Sequence, residues 1–325
     1  MSRCAGYLAG LHSCVHPRTG LTALGAPPDF PSFAAAYDAV RGVDARELEA
    51  FEAELRRERG WRFAYGSRDV SVLDDVAAGV RGLLFNARPS LVQSSIRLDG
   101  AGRPAAPPAP PPLRGDLGTA AGGLALVAPL WRMSRRGGEP RRACVLGGGG
   151  CGVPAVLRAR FCGAVDVVEP AGEVRAVARD FFGVGDALDV VGGCGAAFLR
   201  GAAAPGAFDV VVVDAEDGGA APPPVFASPA FLRDLATAAP AVVGANVLGC
   251  ADAYAAALAA ALPATYGLYE CAAPVGASQA LLFAVDEARS GPVAAADVAA
   301  ELAATGAALE LVDGADAWLR GFRRR

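Results

Sequence analysis

The run VLGGGGCG at residues 145–152 narrows the choice of fold more than any other stretch of the chain. Apolar residues 143–146 before it are short enough for a buried strand, and a helical pattern over 154–161 comes after it. Glycines between a strand and a helix let the backbone turn sharply and approach a ligand, at the helix end that favours a carboxylate or phosphate. In a chain with 41 glycines such a run is a weak signal by itself. The spacing of the next strands and acids has to decide.

A second strand pattern, 165–169, ends in Glu169, about 20 residues after the loop, where a carboxylate can accept both hydroxyls of a ribose. Helical spacing over 173–182 and a short strand near 188–191 continue the alternation of strand and helix, the signature of a mainly parallel sheet covered on both faces. The apolar run 208–213 has the character of a central strand and opens into Asp214, Ala215, Glu216 and Asp217. Carboxylates at that strand end face the same crevice and suit a cationic or amine-bearing ligand. Asp217 fits an exposed turn, whereas Asp214 emerges straight from the strand. Ser228 and Pro229 have the chemistry of N-cap and first helical residue for a helix carrying Phe231, Leu232 and Leu235. Runs at 242–248, 266–271 and 280–285 supply the remaining strands, the last two antiparallel at the edge. The expected fold is therefore α/β, a doubly wound sheet of seven strands. Loop, helix, strand and acid in this order leave both S-adenosylmethionine and a nicotinamide dinucleotide open as ligands.

Upstream, AGRPAAPPAPPP at 101–112 cannot lie inside a sheet or helix, because proline fixes φ and lacks the N–H donor. It marks the expected boundary between a small helix and β unit over 44–100 and the α/β domain over 113–325. In the small unit, Asp44 and Glu47 have capping-box spacing for a helix to about residue 59. Four β-type runs come next, at 61–65, 70–73, 80–85 and 91–98, read as an antiparallel unit. Residues 1–43 are rich in Gly and Pro and give no defined element.

Composition excludes several classes. A hydrophobic fraction of 53% with a formal net charge of -4 argues against a disordered tail protein and against a duplex-binding domain with a basic face, so no nucleic acid partner is expected. The basic run 320–325 fits a solvated terminal tail. The uncharged stretches 235–251 and 253–269 are broken by Pro240, Gly244 and Pro263, so no membrane span is expected; without a secretory pattern at the start, the chain is expected to be soluble and cytoplasmic. Eight scattered cysteines read as reduced thiols. His12, Cys14 and His16 make only a weak local metal motif, with a loosely ordered segment the preferred alternative, so no metal is expected.

The stretches VLGGGGCGVPAVLRARF, VDVVEP, EVRAVARDFFGV, FDVVVVDAED and PPPVFASPAFL, with VRGLLFNARPSLVQSSIRL and GGLALVAPL upstream, together resemble the spermidine-synthase-like methyltransferases. Within them the chain is most similar to the C-terminal catalytic domain of the translation elongation factor 1-alpha lysine and N-terminal methyltransferases. The resemblance spans 69–285. It implies a class I, Rossmann-like methyltransferase that uses S-adenosylmethionine. It implies Gly147, Gly149 and Gly150 in the cofactor loop, Glu169 on the ribose, Asp214 at the fourth strand's end and Asn246 late in the sheet. Asp214 and Glu216 would hold an incoming amine. The implied partner is a protein substrate, with translation elongation factor 1-alpha the named candidate; a homodimer is allowed.

Two features depart from the family. Its Asp–Gly pair after the third strand, which holds the adenine amino group, is here Cys194 and Gly195, and a thiol is a poor acceptor. The segment before GLAL is reduced to LRGDLGTAA. Aminopropyl transfer to a polyamine ranks second, because its loop carries Asp where Gly150 stands and its gate loop differs from DAED. A non-catalytic interaction module with this fold ranks third, favoured by Cys194 and the thinned segment. A dehydrogenase ranks last.

Overall fold

A computed structural model describes residues 61–66, 70–75, 79–85, 92–104, 123–135, 140–160, 162–184, 188–216, 222–272, 279–288, 290–304 and 318–325. The chain divides into two units, Met1–Pro111 with Ala176–Gly183, and Pro112–Arg175 with Val184–Arg325. The helix expected from Asp44, the segment 1–43 with its His12, Cys14 and His16, Asp217 and the LRGDLGTAA segment lie outside the described residues.

In the first unit the four β-type runs pair as a meander: β1 (Trp61–Gly66), β2 (Val70–Asp75), β3 (Val80–Phe85) and β4 (Val92–Arg97), antiparallel and in sequential order. Strand β2 is buried on both faces, which places Asp74 at 0% exposure. A carboxylate there needs a partner. Arg81 lies directly opposite in the β2–β3 register and donates from Nε and Nη2 at 2.6 and 2.9 Å. Its Nη1 donates to the carbonyl of Phe181 at 2.8 Å, so every strong hydrogen-bonding group of this pair is engaged.

The second unit is built on a sheet with strand order β12-β10-β11-β9-β8-β5-β6-β7. Its parallel core comprises β5 (Arg142–Leu146), β6 (Ala164–Val168), β7 (Asp189–Val191), β8 (Val210–Val213) and β9 (Val242–Leu248). Four consecutive valines make β8, and all four are buried, as a strand covered on both faces requires. Strands β10 (Tyr266–Ala272) and β11 (Gln279–Asp286) complete this side, with β11 inserted antiparallel between β9 and β10. The chain order from β5 to β9 reverses direction across the sheet at β5, so the crevice at the carboxyl ends of β5 and β8 is the topological switch point.

The helices are α1 (Val127–Arg135), α2 (Gly152–Arg160), α3 (Gly172–Phe181), α4 (Gly195–Ala202), α5 (Pro229–Ala238), α6 (Ala251–Ala261) and α7 (Ala295–Ala304). On one face Leu199 of α4, Phe231 and Leu235 of α5 and Leu258 of α6 pack on Leu146, Val211, Val213 and Val243. On the other, α1 lies so close to β9 that a Cβ on Gly244 would stand 2.6 Å from Val127 Cγ1. Helix α5 starts as its sequence dictates: Ser228 Oγ accepts from the Phe231 N–H at 3.2 Å and Pro229 occupies the first turn. Among the described residues no helix is long and apolar enough to cross a membrane.

The sheet has eight strands where seven were expected. The basic tail supplies the extra one, β12 (Phe322–Arg324), which pairs antiparallel with β10, so β10 is not an edge strand. The reading of 320–325 as a solvated tail fails for a physical reason. Glu270, on β10, has a buried carboxylate that needs cations, and Arg323 and Arg325 reach its Oε2 at 3.1 and 2.7 Å. Phe322 stacks on Tyr269 with ring centroids 5.1 Å apart, and Arg324 pairs with Glu287 at 2.6 Å. Replacing both Arg323 and Arg325 by Ala should therefore cost about 1–3 kcal/mol in urea denaturation, since it leaves a buried carboxylate without its donors. An unchanged midpoint would mean that the tail is energetically idle.

Candidate functional site

The glycine loop is tied to both strands beside β5. The Gly147 N–H donates to the Val168 carbonyl of β6 at 2.9 Å, and the Asp214 N–H just past β8 donates to the Leu146 carbonyl at 2.9 Å. Gly147 has φ 103, and a Cβ there would collide with the carbonyl of Asp214. Only glycine satisfies both conditions. The loop closes with Cys151 in the left-handed region at φ 56, its N–H donating to the Gly148 carbonyl at 2.7 Å. Burial, with the Glu169 charge adding, pushes the Cys151 thiol up to about 12, so it stays protonated.

Glu169 comes directly after β6 and is 8% exposed. Its Oε2 accepts from the N–H groups of Gly148 at 2.9 Å and Gly149 at 3.4 Å, and its Oε1 from Ala171 at 2.9 Å. The acid expected to meet a ribose thus also holds the glycine loop. A carboxylate has about four acceptor sites, so three donors leave room for a hydroxyl. A Cβ on Gly148 would stand 3.0 Å from the Glu169 Cβ, which keeps the second loop position free of side chains as well.

Past β7, Cys194 is the N-cap of α4, exposed, and makes no side-chain capping bond. Gly195 is buried, with space for a Cβ limited by Leu146 and Phe226 at 3.3 Å. Past β8, Asp214 is half-buried and its Oδ1 accepts from Asn246 Nδ2 at 2.9 Å. Asn246 Oδ1 in turn accepts from Gln279 Nε2 at 2.7 Å. Desolvation raises the Asp214 carboxyl above the usual carboxylate range, and the Asn246 donor offsets this in part. Glu216 is half-buried two residues on.

The fold thus brings Gly147, Gly149, Gly150, Glu169 and Asp214 to one edge, at the ends of β5, β6 and β8, with Asn246 behind Asp214 and Cys194 and Gly195 at the end of β7. Two neighbours escaped the sequence reading. Gln279 opens β11, and because β11 runs antiparallel its first residue arrives where the parallel strands end; the antiparallel expectation for 280–285 contained that signal. Arg175 lies in α3 and donates from Nη1 to the carbonyls of Glu169 at 2.6 Å and Pro170 at 3.0 Å. A cation near a helix N-terminus opposes the helix dipole, and that misfit was its only mark in the sequence. Among the described residues no group of three or more His, Cys, Asp and Glu side chains could hold a metal ion.

This geometry has two measurable consequences. With its native pKa raised, Asp214 binds a proton more tightly in the folded than in the unfolded chain, so its contribution to stability falls as pH rises from the ordinary carboxylate range through the native value. Asp214→Asn keeps an oxygen for Asn246 and removes the desolvated charge. It should melt no lower than the wild type at neutral pH, with the difference shrinking in acid; a clearly lower neutral melting temperature would refute the desolvation. Gly147→Ala should lose about 1–3 kcal/mol from the backbone conformation alone, with more from the collision at Asp214, read by chemical denaturation.

No protein-family model matches the sequence, and no curated protein matches it. Solved structures do. A probable spermidine synthase from Corynebacterium glutamicum is similar at 16% identity over 74% of this chain and 86% of that one, with a TM-score of 0.52. Spermidine synthase from Thermotoga maritima is 14% identical over 71% of this chain and 76% of its own, with a TM-score of 0.49. Human methyltransferase-like protein 13, in complex with SAH, is 22% identical over 61% of this chain and 89% of its own, with a TM-score of 0.43. At these identities the likeness speaks to fold alone. Together with the strand order, the likeness to the first of these makes the second unit a class I, Rossmann-like α/β fold of the kind found in that probable spermidine synthase.

Proposed function

We infer that this chain is an S-adenosylmethionine-dependent methyltransferase acting on a protein amine, with the N-terminus or a lysine of translation elongation factor 1-alpha as the candidate acceptor. The observation that supports it most is Glu169, a nearly buried carboxylate that fixes the N–H groups of Gly148 and Gly149 and keeps an acceptor site for a ribose hydroxyl. The loop also suits such a cofactor by staying free of side chains, because a Cβ on Gly147 would collide with the Asp214 carbonyl and one on Gly148 would press on the Glu169 side chain.

When bound, S-adenosylmethionine supplies a methyl group on a positively charged sulfur. Gly147, Gly149 and Gly150 line the approach with backbone, and Glu169 orients the sugar. Asp214 Oδ1 is committed to Asn246, which leaves Oδ2 to accept an N–H of the incoming amine, and Glu216 adds a second carboxylate at the same edge. Burial makes Asp214 a better proton acceptor than an ordinary aspartate. Transfer to a neutral amine needs chiefly alignment. An α-amino group, with a pKa near ~8 against ~10.4 for lysine, provides more neutral nucleophile at cellular pH.

Titration calorimetry with S-adenosylmethionine, its decarboxylated form and NAD should give binding of the first. Glu169→Ala should weaken it about tenfold or more, as expected for lost hydrogen bonds to a charged acceptor. Undiminished binding in that variant would end the reading. A lysate incubated with labelled cofactor should yield labelled protein, and Asp214→Ala should lower turnover far more than cofactor affinity. Transfer of label to a polyamine from decarboxylated S-adenosylmethionine labelled in its aminopropyl chain, without labelled protein from the methyl donor, would replace methyl transfer by aminopropyl transfer, and tight binding with no product would leave an interaction module.

A further inference from the structure

Resting on that reading, the position of the base can be traced from the strand order. A ligand that passes the glycine loop at β5 and places its ribose on Glu169 at β6 must put its base at the end of β7, the next strand out, beside Gly192, Gly193 and Cys194. No carboxylate among the described residues stands there to accept from a 6-amino group, and the thiol that replaces it is exposed and uncommitted. What does stand there is a guanidinium. Arg175 folds back from α3 with Nη1 on the carbonyls of Glu169 and Pro170, and a Cβ on Gly192 would come within 3.0 Å of its Cζ.

Three features make this more than a surface arginine. Its head is anchored through one nitrogen only, so that Nε and Nη2 have no acceptor among the described residues. It forms no ion pair among those residues, so its charge is not spent on a carboxylate. It is half-buried, and the adjoining strand end carries glycine where a Cβ would crowd the guanidinium at 3.0 Å.

We propose that Arg175 is the residue with which this chain holds the base of its adenosyl ligand, donating from Nε or Nη2 to purine N3 or N7 in place of a carboxylate that accepts from the 6-amino group. The implied ligand class is a purine nucleoside thioether or sulfonium recognised through its acceptors. N3 and N7 are acceptors in both 6-amino and 6-oxo purines, whereas N1 is an acceptor only in the 6-amino form, and a 6-oxo group adds another acceptor. Such a pocket discriminates little between the two, whereas a site built to pair with a substrate N–H rejects the analogue that lacks it by orders of magnitude.

The test is calorimetry on the whole protein with S-adenosylhomocysteine and its 6-oxo analogue, S-inosylhomocysteine. Wild type should bind both within about tenfold of each other, well short of the discrimination a paired 6-amino group would impose. Arg175→Met should weaken S-adenosylhomocysteine by about tenfold or more. Gly192→Ala should weaken it less but in the same direction by shifting the guanidinium a few tenths of an ångström, and should add little in the Arg175→Met background, because the two changes act through one contact. Thermal melts of each variant separate lost binding from lost folding, and Gly192→Ala tests the contact with the arginine retained. Wild-type affinity in Arg175→Met, or preference for the 6-amino ligand beyond about a hundredfold, would overturn the assignment while leaving the cofactor reading intact. No binding of either thioether by wild type would sink both. Binding of NADP lost in Arg175→Met, in a wild type indifferent to the thioethers, would give the guanidinium a phosphate instead and overturn the proposal together with the reading beneath it.

Discussion

The carboxylate of Glu169 is the constraint around which the rest of the site is arranged. It closes three backbone N–H groups, two from the glycine loop and one from the entry to α3, onto the end of a single strand. A glycine loop has little stiffness of its own, since each residue gives up more backbone freedom on ordering than any other type. Charge-assisted bonds to a nearly buried acid supply what the loop lacks. The same arrangement sets the chemistry, because the acid that holds the loop keeps an acceptor site for any hydroxyl that approaches it.

The opposite side of the crevice depends on a different device. Asp214 leaves a strand of four valines and has no backbone donor to its side chain among the described residues; its orientation comes from Asn246, and that of Asn246 from Gln279. The chain of amides has a fixed sense. A carboxylate can only accept when ionised, so Asn246 presents its amino group to Asp214 and its oxygen to Gln279. Three strands thereby cooperate to aim one carboxylate, and the reversal of β11 is what brings the third member to the correct edge.

Much of this was legible in residue order because the parallel core is governed by local rules. Valine runs flanked by glycine or an acid can form little else than buried strands, and Ser228 with Pro229 starts a helix wherever the next residues have an apolar face. The four short runs ahead of the proline-rich stretch paired as expected because each is bounded by turn residues. What sequence did not reveal depends on distance along the chain. Glu270 and the tail arginines are separated by more than fifty residues, and nothing in a run of basic residues says that a buried acid waits for it. Gln279 and Arg175 were missed for the same reason, as ordinary polar residues whose partners are set by topology.

Cys194 and Arg175 are better understood together than apart. Taken alone, a cysteine in place of an acceptor looks like decay of a site, and an arginine near a helix N-terminus looks like a tolerated misfit. In the fold the head of Arg175 reaches back from α3 to the end of β6 while Cys194 follows β7, so the strong polar group offered beside Gly192 is a donor. Among the described residues the arginine's Nε and Nη2 are left without an acceptor. An exposed thiol without a capping bond beside a guanidinium with donors to spare makes recognition of a ligand through its acceptors physically available at this edge.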